Sequence, residues 1–226
     1  MIRVGHKGAD AIVPGNTLQS FDAALAAGVD MIEFDVLSER PDGGGELYVV
    51  HDYGRLRAHA APTLEQALAH LSAALLRGVR LQVDLKRTGY EERTLAALAS
   101  ADALSRCLIS TAEWRSLERV RKLEPNVRIG WTIPSPLAAV PGVGRLAGAL
   151  VRTGVARVAS ARLRDGAIDA IVPQWPLVSR RLVSVVKAAG GEIYVWTVDD
   201  ARRIRRLRQL GVTGVITNDP RLFALS

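Results

Sequence analysis

Two acidic residues spaced two apart, Glu33 and Asp35, interrupt an otherwise apolar run, Met31-Ile32-Glu33-Phe34-Asp35-Val36. On an extended strand, residues two apart share a face, so both carboxylates project the same way. Asp84 and Lys86 repeat the spacing within residues 79–86. Adjacent strands lie about 4.8 Å apart, so three carboxylates from neighbouring strands can converge on one point. Such a set of oxygens suits Mg²⁺ or Ca²⁺ better than zinc or copper. His6 and His51 end strand-like segments, and an imidazole can take or give a proton near neutrality. Each residue also has a plainer use. Glu33 could be an exposed strand residue, Asp35 a loop-facing cap, and Asp84 with Lys86 a satisfied salt bridge. Either histidine could be structural, and Trp196 could be a core aromatic or a substrate wall. Position joins them: His6, Glu33 with Asp35, Asp84 with Lys86, Trp196, and Asn218 with Asp219 all fall at strand ends.

The elements that must hold these residues follow from the alternation of short β-branched runs with alanine- and leucine-rich stretches. Strands are predicted at 2–6, 31–36, 79–86, 106–110, 127–132, 169–174, 192–198 and 212–218. Helices are predicted at 17–27, 63–77, 91–100, 113–123, 144–164, 176–189 and 199–210. Thr63 with Gln66 three residues on forms a capping box, and Asp199 is placed to open the last helix. Gly28, Gly78, Gly190 and Gly211 stand where helices should stop. Eight strands alternating with helices point to a parallel sheet, and eight close a (β/α)8 barrel. A doubly wound open sheet is the alternative, but no glycine-rich phosphate loop follows the first strand. One detour breaks the rhythm: residues 32–36 and 47–51 resemble a strand returning through the turn Pro41-Asp42-Gly43-Gly44-Gly45, and it carries His51 and Asp52.

At 226 residues the chain reads as a single domain, 1–226, large enough to fold without disulfides. The lone Cys107 excludes a disulfide framework and a cysteine-rich zinc site. No apolar run is long enough to span a membrane, and no basic-then-apolar leader precedes the first strand, so a cytoplasmic location is expected. Thirty basic against 23 acidic residues give a formal charge of +7, which favours anionic partners. The arginine-rich stretch 202–208 resembles one solvated helix face. Without a recognisable module or stacking aromatics, nucleic acid is not an expected partner. Oligomeric state is not legible.

Taken in order, Val4-Gly5-His6-Lys7-Gly8, Pro14-Gly15-Asn16-Thr17, Gly28-Val29-Asp30-Met31-Ile32-Glu33-Phe34-Asp35-Val36 and Val50-His51-Asp52 resemble the glycerophosphodiester phosphodiesterases. Pro62-Thr63-Leu64-Glu65, Asp84-Leu85-Lys86, Val195-Trp196-Thr197-Val198 and Gly214-Val215-Ile216-Thr217-Asn218-Asp219-Pro220 continue the match. It also reaches the related sphingomyelinase D-type phospholipases. The resemblance implies a phospholipase-C-like (β/α)8 TIM barrel and hydrolysis of glycerophosphodiesters to an alcohol and glycerol 3-phosphate. By the same resemblance Glu33, Asp35 and Asp84 hold a divalent metal, Mg²⁺ or Ca²⁺. His6 and His51 form the acid–base pair, Lys7 and Lys86 meet the phosphate, and Asn16 and Trp196 belong to the pocket.

Four departures stand out. Lys7 replaces the family's arginine and loses its bidentate fork. Gly15 replaces a glutamate, and Asp84 replaces a longer glutamate. The insertion that usually follows the second histidine, and helps enclose the glycerol group, is missing. An open, basic site beside Arg55 and Arg57 could accept a lysophospholipid, with transient contact to an anionic membrane. A barrel that binds phosphate esters without turnover is the remaining alternative.

Overall fold

The computed structural model describes residues 1–58, 60–135 and 145–226; His59 and the predicted helix start at Gly144 lie outside them. In chain order the elements are β1 (Ile2–Gly5), α1 (Leu18–Ala26), β2 (Met31–Ser38), β3 (Leu47–Val49), α2 (Tyr53–Ala58), α3 (Leu64–Leu76) and β4 (Arg80–Leu85). Then follow α4 (Glu91–Ser100), β5 (Cys107–Thr111), α5 (Trp114–Leu123), β6 (Arg128–Ile133) and α6 (Arg145–Arg164). The last elements are β7 (Ala170–Pro173), α7 (Arg180–Ala188), β8 (Glu192–Val195), α8 (Ala201–Leu210) and β9 (Gly214–Thr217).

Eight parallel strands pair in the order β1-β2-β4-β5-β6-β7-β8-β9, and the β9–β1 ladder closes the barrel. The open-sheet alternative is thereby excluded. Alternation sorts each strand into two faces. On β2 and β4, Ile32, Phe34, Val36, Leu81, Val83 and Leu85 point outward into the layer beneath the helices. The inward residues are apolar low in the barrel, where Val4, Met31, Leu108, Ala170, Val172, Tyr194 and Ile216 fill its centre. Higher up the inward positions turn polar, with Glu33, Asp35, Gln82, Asp84 and Ser110 buried. A barrel interior of this kind is a packed core, and its C-terminal end carries the chemistry.

The predicted detour exists. β3 runs antiparallel to β2, with Val36 opposite Val49 and Ser38 opposite Leu47. Its turn uses Gly43 and Gly45 at positive φ, and the Arg93 guanidinium on α4 grips the Gly43 and Gly45 carbonyls. Sequence patterning missed α2, six residues with no buried side chain, in the short stretch between His51 and Pro62. The predicted helix at 176–189 is shorter, because Pro176 lies in a 3₁₀ turn and Ser179 caps α7 by accepting from Leu182 N. Asp200 rather than Asp199 caps α8, accepting from Arg203 N. Thr63 and Gln66 do form the capping box of α3.

Candidate active site

At the C-terminal end of the barrel a cavity of about 220 Å³ opens, and His6, Lys7, Glu33, His51, Asp84, Lys86 and Trp196 line it. Strand register brings them together: Glu33 lies beside Gln82, Asp35 beside Asp84, and Asp84 beside Ser110. Lys7, just after β1, takes a left-handed conformation (φ 50°) that aims its backbone N–H at Glu33 Oε2, 2.9 Å away. Non-glycine residues are held in such strain mainly at functional sites.

His6 ends a relay of hydrogen bonds whose direction can be deduced. Asp199, as a carboxylate, can only accept, so Asn218 donates Nδ2–H to its Oδ2 at 2.6 Å. That turns Asn218 Oδ1 toward His6 Nδ1, 2.5 Å away, so Nδ1 carries the proton. The Nε2 lone pair is left free, on the side facing Glu33 Oε2 at 3.8 Å. Burial pushes His6 below its ordinary 6.5, outweighing the Asn218 bond, so the ring rests neutral. His51 differs: its side chain is 46% exposed, and its Nδ1 lies 3.2 Å from Asp52 Oδ2. Asp52 is itself anchored by accepting from Arg55 N at the start of α2.

The carboxylates are arranged differently from the convergence expected of them. Lys86 Nζ stands between two of them, 2.7 Å from Asp35 Oδ1 and 2.7 Å from Asp84 Oδ2. Among the described residues no three acidic, histidine or cysteine side chains are grouped to hold a metal ion. Burial opposes the charge on Lys86, but Asp84, Asp35 and Glu33 outweigh it and hold the ammonium above its ordinary range. Burial likewise pushes Asp35 up, yet Lys86 and the Asn16 amide bring it below the usual carboxylate range. The unbalanced charge falls on Glu33, which burial, with Asp35 and Asp84 adding, drives well above the usual range. One ammonium among three carboxylates thus leaves negative charge unmatched, and the donors are all oxygen, as a hard divalent cation prefers. The donor chemistry fits such an ion, provided that Lys86 swings from between Asp35 and Asp84.

Asn16 does not line the cavity. It sits behind Asp35, donating Nδ2–H to Oδ2 at 2.8 Å and accepting from Asp35 N at 3.2 Å. Trp196 does line it, with the indole pinned by Nε1–H donation to Val172 O at 2.7 Å. The space at Gly15 is already filled: a Cβ there would meet Asp10 Cγ and Lys7 Cβ at 2.7 Å, and Asp10 Oδ1 accepts from Gly15 N.

Gln82, Ser110 and Thr132 were missed in the sequence. Ser110 Oγ and Thr132 Oγ1 both donate to Asp84 Oδ1, at 2.6 and 2.9 Å. Because Ser110 gives its only proton to Asp84, it must accept from Gln82 Nε2. Gln82 Oε1 is therefore fixed as an acceptor, and it is buried with no donor on it. For Gln82 the signal was available in the period of two: 82 and 84 share the inward face of β4, and 86 follows just past its end.

The model of the Glycerophosphoryl diester phosphodiesterase family matches residues 6–58 and 49–222. A glycerophosphodiester phosphodiesterase of Arabidopsis thaliana is 28% identical over 252 residues, covering 96% of this chain and 70% of the plant protein. Another, from Caldanaerobacter subterraneus, is 25% identical over 250 residues, covering 96% and 93%. An Oleispira antarctica phosphodiesterase, solved in complex with the product sn-glycerol-3-phosphate, shares the fold. Its TM-score is 0.74 at 22% identity, over 100% of this chain and 96% of that one.

Proposed function

The chain belongs to the glycerophosphoryl diester phosphodiesterase family of phosphoric diester hydrolases, and on that premise we propose that it hydrolyses glycerophosphodiesters to an alcohol and glycerol 3-phosphate. The observation that carries this reading is the pair of unlike histidines on one cavity. His6 is buried and neutral, with Nε2 free; it takes the proton from the attacking oxygen as the new P–O bond forms. His51, exposed beside the Asp52 carboxylate, gives a proton to the departing alkoxide as the old P–O bond breaks. Lys7 and Lys86 face the phosphoryl oxygens. Once swung from between Asp35 and Asp84, the Lys86 ammonium has its N–H donors free for those oxygens. Glu33, Asp35 and Asp84 would hold a divalent ion, Mg²⁺ or Ca²⁺. Bound there, it would supply positive charge to the phosphoryl oxygens. Gln82 Oε1, the acceptor without a donor, would receive a hydroxyl of the glycerol moiety.

A second reading, cleavage of a lysophospholipid, is favoured by the exposure of His51 and by the shortness of α2 beside it. Phosphorus NMR on a panel of glycerophosphodiesters and lysophospholipids, with Mg²⁺, Ca²⁺ or chelator, separates the two. Metal-dependent glycerol 3-phosphate, lost in His6→Ala, is the expected result. Turnover of lysophospholipids alone would move the assignment to the lipid, and full activity of His6→Ala would remove His6 as the base.

A further inference from the structure

Charge is distributed unevenly around the outside of the barrel. Three helices that follow one another in the chain, α6, α7 and α8, carry thirteen arginines and lysines and not one aspartate or glutamate. By contrast α4 and α5 mix both signs, with Arg119 on α5 paired to Glu92 on α4. The bare helices enclose a groove of about 580 Å³, lined by Arg152, Arg180, Arg203 and Arg206 together with Trp175. Among the described residues none of these four guanidinium groups has a carboxylate partner. Arg203 lies over the Trp175 ring, 3.7 Å from its centroid.

One wall of the groove, Trp175 with Arg180, lies at the catalytic end of the barrel. Trp175 follows the C-terminal end of β7, and its N–H donates to the carbonyl of Trp196, which lines the catalytic cavity, at 2.8 Å. Three large apolar side chains among the described residues are exposed on this sector, Trp175 at 39% and, on α6, Leu150 at 67% and Val158 at 42%. Arginines spread over several helices, interleaved with an exposed tryptophan and leucine, match a surface that is anionic outside and apolar beneath. An indole settles at the headgroup level, and arginine stems lie along apolar surface while their heads stay in water. No helix among the described residues is long and apolar enough to cross a membrane, so contact here is peripheral.

We propose that the α6–α8 sector docks the protein on an anionic phospholipid bilayer, with the catalytic mouth next to the contact. This docking is independent of the phosphodiesterase reading and is measured without turnover. The test is co-sedimentation with phosphatidylglycerol vesicles and with phosphatidylcholine vesicles at low salt. The whole chain should bind the former, release as salt rises, and bind the latter weakly. An arginine at an anionic surface contributes about five-fold in affinity, so Arg180→Gln with Arg206→Gln should weaken binding about 25-fold. That pair should keep the wild-type urea-unfolding midpoint, which shows that it is folded. Arg115→Gln with Lys122→Gln on α5 removes the same charge elsewhere and should leave binding within about two-fold.

Equal binding to both vesicles, or to neither, would overturn the proposal. So would equal loss in the α5 pair, which would make net charge the cause. Competition by inorganic phosphate beyond that of chloride at matched ionic strength would mean a small-anion pocket instead. Tighter binding to duplex DNA than to the vesicles would mean a nucleic-acid surface.

Discussion

The cluster inside the barrel and the α6–α8 sector outside it use charge in opposite ways. Inside, Asp35, Asp84 and Lys86 are each within 2.7 Å of an opposite charge, and Ser110, Thr132 and Asn16 satisfy further carboxylate oxygens. Outside, the groove arginines have no carboxylate partner among the described residues, and Arg180 and Arg206 are exposed. Burial explains the difference. A charge removed from water must be paired and hydrogen-bonded, whereas an exposed guanidinium is already solvated and can wait for an external anion. The interior is specified residue by residue; the exterior is specified by sign and density.

Breaking that contrast should show first at Lys86. Lys86→Met strips the partner from two buried carboxylates and should cost about 3–5 kcal/mol in urea unfolding. If the cluster also accepts a divalent ion, millimolar Mg²⁺ or Ca²⁺ should restore part of that loss. Next comes Gly15→Glu, which would restore the family's glutamate. Asp10 and Lys7 Cβ occupy its space, so it should destabilise by about 1–3 kcal/mol rather than improve the enzyme.

The pH response sharpens the comparison. Burial holds His6 below 6.5, so the acid limb of kcat/KM should lie below the ordinary imidazole range. The unfolded chain protonates near 6.5 and the folded one only at lower pH. The stability contributed by the neutral buried ring is therefore present above 6.5 and lost as pH falls through the window beneath it. Equilibrium unfolding across that window, compared with His6→Ala, checks the sign. The smallest effect belongs outside: Arg180→Gln with Arg206→Gln should shift stability by no more than about 0.5 kcal/mol, because both side chains are exposed and neither has a carboxylate partner among the described residues.

Much of this is legible in the sequence. Period-two spacing put Glu33 with Asp35, and Asp84 with Lys86, each on one common face, because a strand alternates whatever fold it joins. Capping chemistry found the start of α3, since Thr63 and Gln66 act within one helical turn. Locality was also the limit of that reading. Asp199 resembled a helix cap, but β9 offers it Asn218 N and Thr217 Oγ1, and Asp200 takes the cap instead. The six residues of α2 bury nothing, so they carry no apolar period to detect.

By itself the sequence determined the eight alternating units, the ends of the strands where chemistry would sit, and the excess of arginine. These rest on periodicity, capping and composition, which act over a few residues or none. Only the tertiary structure decided that Lys86 stands between Asp35 and Asp84, that Asp199 orients His6 through Asn218, and that Gln82 Oε1 is left without a donor. It also gathered α6, α7 and α8 around one groove beside the catalytic mouth. Each of these depends on which strands and helices become neighbours when the barrel closes, and barrel closure is a long-range pairing that no local pattern encodes.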